Sequence, residues 1–446
     1  MRFLLPLTIA TTAIVSPLAA QRRPPDSTSS VQTQADDYTR YELLAPGSGK
    51  FRILYEVTAT ADGATQFFNP IRKGSVASDE HVIDRMTGEP LDFDIVGGAV
   101  ARKAGVRGAD SSTDYIRIRL TRPVPKEGEA RLLIDKTYFD PKSYYEENGL
   151  LIFARPLGIK RNAIVLPAGY DLVSCNVPSQ VIETEDGRIS ISFWNTLPAE
   201  APLVVKARAA GSVAGRGAGS GRVPAEGGRV EAGSVKALEG TAQREVAAQR
   251  PQSAAPLPAS RFPLPERAHQ DREIVYFLQQ PETHAFDLYH DYTESRAGVG
   301  VYLNVVRAGS SVSRPSARIL DTGEELTWEI VQGDAIARAK LDVADVTPQT
   351  QVVVFHFPPV KAKGSVRLRM FETYTDSARY RLEGETLVWD RSLGRPANAV
   401  VLPAGWSLTN SAIPATVTEL PDGRIRLDFI NPRPDEIAVY VTARRR

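Results

Sequence analysis

One cysteine stands in 446 residues, so no intrachain disulfide can form and stability must come from packing. That residue, Cys175, faces Ser411 when the two halves of the chain are aligned, and a lone thiol whose counterpart is serine reads as a small buried group, not a nucleophile. Histidine is nearly as scarce, with five copies, none followed by Glu, which excludes the His-Glu-x-x-His zinc motif. His284 and His290 are expected on one strand face, six residues and roughly 20 Å apart, too far to share a metal. They read as a loop-end histidine and a half-buried ring in the place of Tyr55. An excess of charge of one sign is also missing: the formal net charge is +1, and Arg444–Arg446 form only a short basic tag. Without a basic field to neutralise phosphates, nucleic acid is not an expected partner.

Gly-rich catalytic signatures are absent too. No Gly-x-Ser-x-Gly elbow and no Gly-x-Gly-x-x-Gly fingerprint occurs. Gly47-Ser48-Gly49-Lys50 resembles the end of a phosphate loop, but Phe51 stands where Ser or Thr is required, Leu44 replaces the leading Gly, and a strand follows where a helix is needed. It reads as a turn. No cofactor and no metal is implied by any motif.

What is present begins with "MRFLLPLTIATTAIVSPLAAQRR": a positive Arg2, an apolar run from Phe3 to Val15, and small residues at Ala19 and Ala20. This predicts a secretory signal peptide over 1–20, cleaved before Gln21, because the run is shorter than the roughly 20 residues of a membrane span. The mature chain is then expected to be exported, periplasmic or extracellular, with a polar, loose arm over 21–37 and no transmembrane anchor.

The rest of the chain is a duplication. "RNAIVLPAGY" at Arg161–Tyr170 returns as "PANAVVLPAGW" at Pro396–Trp406, and the same 236-residue offset pairs Arg155 with Arg391, Tyr138 with Tyr374, Asp140 with Asp376 and Asp186-Gly187-Arg188 with Asp422-Gly423-Arg424. Nearer the start the offset is 235, pairing Tyr41 with Tyr276, Phe51 with Phe286, Asn69 with Asn304 and Arg72 with Arg307. Chance does not hold register over about 170 residues with one single-residue shift, and a long unit present twice is a pair of domains, not a solenoid. The repeats are placed at 38–208 and 271–446. Between them, 209–270 is dominated by Gly, Ala, Ser and Pro, with mixed charges and one aromatic, Phe262. Such a composition cannot bury enough apolar surface to offset ordering, which predicts a disordered linker able to hold two separable lobes roughly 40 Å apart.

Within each repeat the apolar period is two. Ile425, Leu427 and Phe429 alternate with Arg426 and Asp428, as Ile189, Ile191 and Phe193 alternate with Ser190 and Ser192, and each run follows an Asp-Gly pair that predicts a type I′ hairpin turn. No long amphipathic helix is evident. The expected fold is all-β: two homologous antiparallel β-sandwich lobes joined by the linker. The repeated phrase is then a structural corner, an apolar strand turned by Pro-Ala-Gly, with a paired site around Asn162 and Asn398 as the lesser alternative.

Candidate ligand-binding residues are the polar groups kept in both halves: Asn69, Arg72, Tyr138, Asp140 and Arg155, with Asn304, Arg307, Tyr374, Asp376 and Arg391. At strand ends they suit gripping a glycan or carboxylate; cross-strand ion pairs and tied hydroxyls explain them equally, and a duplication keeps structural residues first.

At "YFLQQPETHAFDLYHDYT", followed by "ARILDTGEELTWEI", each copy resembles the N-terminal β-sandwich that precedes the catalytic domain of gluzincin-type zinc aminopeptidases. The resemblance implies a non-catalytic β module and carries over no catalytic residue, since the zinc motif is absent. The expected function is therefore an exported, non-catalytic two-lobe protein that binds or scaffolds an envelope polymer or protein partner. The alternative is a secreted, glycoside-hydrolase-like enzyme using Asp or Glu on a sandwich face.

Overall fold

The computed structural model describes residues 31–211, 272–362 and 364–446. The expected signal peptide, most of the N-terminal arm and almost all of the expected linker lie outside the described residues. Among those described, each half contributes thirteen strands, with helix confined to Gly98–Lys103, Asp334–Arg338 and one 3-10 turn at Pro281–Thr283. The chain is thus mostly β. The first strand begins at Gln34, inside the expected loose arm.

The two halves carry the same pairings. In the first, strand Gln34–Leu43 lies parallel to Arg161–Val165, which pairs antiparallel with Ile189–Trp194. In the second, Arg272–Leu278 lies parallel to Ala397–Val401, which pairs antiparallel with Ile425–Ile430. The purely antiparallel expectation is corrected at these two pairs. Side-chain alternation fixes facing but not strand direction, and a long return connection in each half allows the parallel match.

The aromatic cores match as well. Phe51 meets Phe153 edge-on at 5.3 Å, and Phe286 meets Trp389 edge-on at 4.9 Å. Arg155 lies over Phe51 at 5.4 Å and Arg391 over Phe286 at 5.2 Å, so each core is capped by a guanidinium on an aromatic face. Corner chemistry follows the same plan. Gly169 and Gly405 have positive φ of 76° and 84°, the backbone freedom that the Pro-Ala-Gly turn requires.

The hairpins after the Asp-Gly pairs differ from expectation. Only Gly187 and Gly423 have positive φ there, and the Gly187 amide bonds the Thr184 carbonyl at 2.8 Å. A type I turn followed by a left-handed glycine therefore replaces type I′. Asp186 stays out of the left-handed region and accepts bonds from Thr184 Oγ1 and the Arg188 side chain. His284 lies at the loop end read for it and not on the strand face of His290: it closes the 3-10 turn with φ 54°, just before strand Ala285–Glu294, because Pro281 starts a turn instead of extending the strand.

Two compact units are recognisable. Among the described residues, one is built from 31–35, Thr58–Lys73 and Val82–Leu132, the other from Asp36–Val57, Gly74–His81 and the described part of Leu133–Arg446. The first holds the three-stranded sheet Gln66–Pro70, Asp114–Arg119 and Phe93–Gly97, with Phe68, Ala101, Ala109 and Tyr115 at its centre. In the second half the corresponding sheet, Val301–Val305, Gln351–His356 and Thr327–Gln332, belongs to the second unit.

Inside that second unit the long strands Tyr170–Glu183 and Trp406–Glu419 pair antiparallel, with Cys175 opposite Val417, Ser179 opposite Ala415 and Val181 opposite Ser411. Ser179 and Ala415 are equivalent by the sequence offset, so the contact has the form of a two-fold isologous interface. The flanking ion pairs follow suit: Arg208 grips Glu419 through bonds of 2.5 and 2.8 Å, and the equivalent Arg444 grips Glu183. Arg444 also reaches Asp171 at 2.7 Å, and Ser407 donates to Asp171 at 2.7 Å. Independent lobes are therefore not what these strands form, since the two halves share a buried strand pairing. Cys175 is buried in this seam, its thiol pushed up by burial. Ser179 and Ala415 are both 0% exposed, so Ala415→Arg places an unpaired charge at the axis, at a cost of several kcal/mol. The expected result is a larger radius of gyration by small-angle scattering with strand content kept. An unchanged radius contradicts the docking.

Candidate functional site

The ten candidate residues divide by what surrounds them. Asp140 and Asp376 are structural in both halves. Asp140 accepts from Ser75 Oγ at 3.0 Å, Ser143 Oγ at 2.8 Å and Arg155 Nη1 at 2.8 Å. Asp376 accepts from the equivalent Ser310, Arg379 and Arg391 at 2.7, 3.2 and 3.3 Å. Burial pushes the Asp140 carboxyl up, yet the Ser143 and Ser75 hydrogen bonds and the Arg155 charge outweigh it and hold the group below its usual range. Tyr138 is buried in the first core. Asn69 is buried on the strand Gln66–Pro70, and Arg72, half-buried, follows it.

In the second half, Asn304, Arg307, Tyr374 and Arg391 come together on one cavity of about 300 Å³, together with Tyr276, His290, Glu372, Arg395 and Glu436. Strand alternation builds it. On Ala285–Glu294 it turns Leu288 and His290 inward, and on the paired strand Val366–Thr375 it turns Glu372 and Tyr374 inward, with Leu288 opposite Glu372. Asn304 comes from the small sheet and donates to Glu372 Oε2 at 2.5 Å and to the Tyr374 hydroxyl at 3.1 Å. Arg307 donates to the Ser392 carbonyl at 3.1 Å and to Glu436 at 2.7 Å. Arg395 donates to the Tyr302 hydroxyl at 2.8 Å.

His290 and Glu372 make this cavity unusual. They are 1% and 2% exposed, and both ring nitrogens of His290 and Oε1 of Glu372 have no hydrogen-bond partner in the protein. Buried polar atoms are normally satisfied, so these three, with Nε of Arg391 as a fourth on residues of the same cavity, mark a site for something that completes them. Burial, with the positive Arg395 nearby, pushes the His290 imidazole down to about 3, so the ring is neutral at physiological pH. Burial pushes the Glu372 carboxyl up to about 7 against hydrogen bonds from Asn304 and Tyr374. Near neutrality the cavity therefore offers a neutral ring with one donor and one acceptor, and a carboxyl that exchanges a proton.

Neither residue was among the sequence candidates, because neither is kept between the halves. The offsets place Tyr55 opposite His290 and Lys136 opposite Glu372. The usable signal was this: in a core whose aromatics, Asp and Arg are retained, two inward positions change chemistry, and one reverses charge. Lys136 is itself buried, with its ammonium 5.0 Å from the Tyr138 ring centre, and burial, aided by Arg155, lowers it to about 7.

A larger concavity of about 950 Å³ lies along the strand Tyr170–Glu183, between Trp194 and Pro202 on one side and Ala412 and Pro414 on the other. It carries one open buried atom, Oδ1 of Asn162, against four on the smaller cavity, since its other side-chain amides are engaged. Asn176 binds the Pro202 carbonyl and the Val204 amide, and Gln180 the Ala412 carbonyl. Asn162, on the same wall, ties down the Ile159 carbonyl at 2.7 Å just as Asn398 ties the Arg395 carbonyl at 2.7 Å. The two asparagines are corner braces. Among the described residues no group of three His, Cys, Asp or Glu side chains is placed to hold a metal ion, and no helix is long and apolar enough to cross a membrane.

No protein-family model matches the chain, and no curated protein matches it in sequence. Solved structures do align. An M1 zinc metallopeptidase from Deinococcus radiodurans is 14% identical with a TM-score of 0.25, covering 40% of this chain and 42% of the peptidase. An aminopeptidase N family protein from Idiomarina loihiensis is 10% identical with a TM-score of 0.25, covering 39% and 29%. A nutrient binding protein from Legionella pneumophila is 8% identical with a TM-score of 0.26, covering 41% and 68%. The chain spans less than half the length of either peptidase. The resemblance to aminopeptidase structures is thus weak and partial.

Proposed function

We propose that the chain is an exported, non-catalytic binding protein of the cell envelope, made of two homologous β-sandwich lobes, and that the second lobe takes a ligand in the cavity of His290 and Glu372. The N-terminal sequence supports export, and the matching pairings of the halves support a duplicated module. The observation that carries the binding role is the set of open polar atoms on a roughly 300 Å³ cavity at positions where the first half has changed residue type. One lobe keeping the framework while its twin departs from it at the cavity is how a duplicated scaffold acquires a site.

The test is a thermal-shift screen of the full chain against envelope polysaccharides, peptidoglycan fragments, peptides and small metabolites. A ligand at a hundred times its Kd stabilises by about 2.7 kcal/mol, and that shift is expected to vanish in Glu372→Ala. Ligands that stabilise both forms equally place the site elsewhere. A second reading, a glycoside-hydrolase-like enzyme, rests on Glu372, raised to about 7 as a general acid requires, with Glu436 on the same cavity. Release of reducing sugar by the wild type and not by Glu372→Gln supports that reading over simple binding.

A further inference from the structure

We propose that the ligand of the second-half cavity is a small organic carboxylate, bound with uptake of one proton by Glu372. This rests on the binding role given above and adds the chemical class. The charges that face the cavity can be counted. Arg391 is committed to Asp376 at 3.3 Å and Arg307 to Glu436 at 2.7 Å. Arg395 bonds the Tyr302 hydroxyl and has no carboxylate partner among the described residues. His290 is neutral, Tyr276 and Tyr374 are held un-ionised by burial, and Asn304 carries no charge. With Glu372 ionised, the cavity is balanced by Arg395. With Glu372 protonated, one cation is left over.

An anion is the partner that state needs. A carboxylate on the cavity would accept from Arg395, from the N–H of His290 and from the Glu372 hydroxyl, satisfying the donor nitrogen of His290 and Oε1 of Glu372 with charge-assisted bonds. An ammonium group would instead meet Arg395 with no ionised acid to spare. A neutral polyol would leave the Arg395 charge without a counter-ion. The volume holds roughly ten water-sized groups, which limits the ligand to a compact acid.

Proton linkage sets the sign of the pH effect. The free protein has Glu372 near half-protonated at pH 7, and the bound anion keeps it protonated, so affinity rises as pH falls. Between pH 6 and pH 8 the expected weakening is about tenfold. Isothermal calorimetry on the full chain tests this with acetate, succinate, D-glucuronate and benzoate against acetamide, succinamide, D-glucose and benzamide, each in two buffers of different ionisation enthalpy. At least one carboxylate is expected to bind more than tenfold tighter than its neutral counterpart, with proton uptake. Arg395→Gln should weaken it more than tenfold, and Glu372→Gln should remove the pH dependence of whatever binding remains. A neutral compound binding as tightly as its acid, or a carboxylate binding tighter at pH 8, overturns the carboxylate class and leaves the binding role standing. Silence from all eight compounds, while another compound gives a Glu372-dependent thermal shift, also overturns the class alone. Silence in both experiments overturns the binding role with it.

Discussion

Asp376→Ala is expected to cost about 3–5 kcal/mol of stability, the range for removing one partner of a buried ion pair. The Asp376 side chain is 0% exposed and that of Arg391 is 7%, so the guanidinium left behind loses its ion-pair partner in a nearly buried place. Ser310 Oγ and the Arg379 amide lose their acceptor at the same time. Most of the loss is the penalty of a stranded charge, so Asp376→Leu combined with Arg391→Met should recover much of it, the stem of Met still packing where Arg391 lies over Phe286. Denaturant unfolding followed by tryptophan emission reads this directly. Trp389 and Trp406, 0% and 1% exposed, both report the second half. A loss under about 1 kcal/mol would mean the pair is screened by water and is not a structural tie.

The second large effect is a pair of opposite pH dependences from one aligned position. Glu372 is raised to about 7 when folded, so between the ordinary carboxylate range and pH 7 the folded state holds a proton that the unfolded state releases. Its contribution is favourable in acid and is lost as pH rises to 7. Lys136 is lowered to about 7 when folded, so between pH 7 and the ordinary lysine range the unfolded state holds the extra proton, and stability recovers as pH rises. Glu372→Gln should therefore match the wild type below pH 4.5 and gain on it up to pH 7, then hold a constant lead on the order of 2–3 kcal/mol. Lys136→Met should lead by on the order of 5 kcal/mol below pH 7 and lose that lead towards pH 10. Differences against the wild type are the quantity to measure, since the burial of neutral His290 adds its own acid-side dependence to all three proteins. Parallel profiles for wild type and variants would contradict the buried setting of these groups.

The fold was legible where the cause is local. Alternation at Ile425, Leu427 and Phe429, the Pro-Ala-Gly corner and the offset between the halves each follow from neighbouring residues, and the strands and corners are found there. Strand direction at Gln34–Leu43 was not legible, because alternation reads the same both ways. The docking of Tyr170–Glu183 against Trp406–Glu419 was hidden for a related reason: Arg208, Glu183, Arg444 and Glu419 look like ordinary solvated charges until the two-fold contact pairs them. At the site, retention in both halves picked out Asn304, Arg307, Tyr374 and Arg391, which line one cavity. The same criterion also brought in Asp140 and Asp376, whose work is structural, and passed over His290 and Glu372. A filter for what duplication keeps cannot find what one copy has changed.

The central claim is that the second-half cavity is completed by a bound molecule. A crystal structure of the full chain, grown with the tightest-binding carboxylate, tests it most directly. The account predicts a carboxylate within hydrogen-bond distance of His290, Glu372 and Arg395. Ligand density elsewhere, with only water against His290 and Glu372, would contradict it.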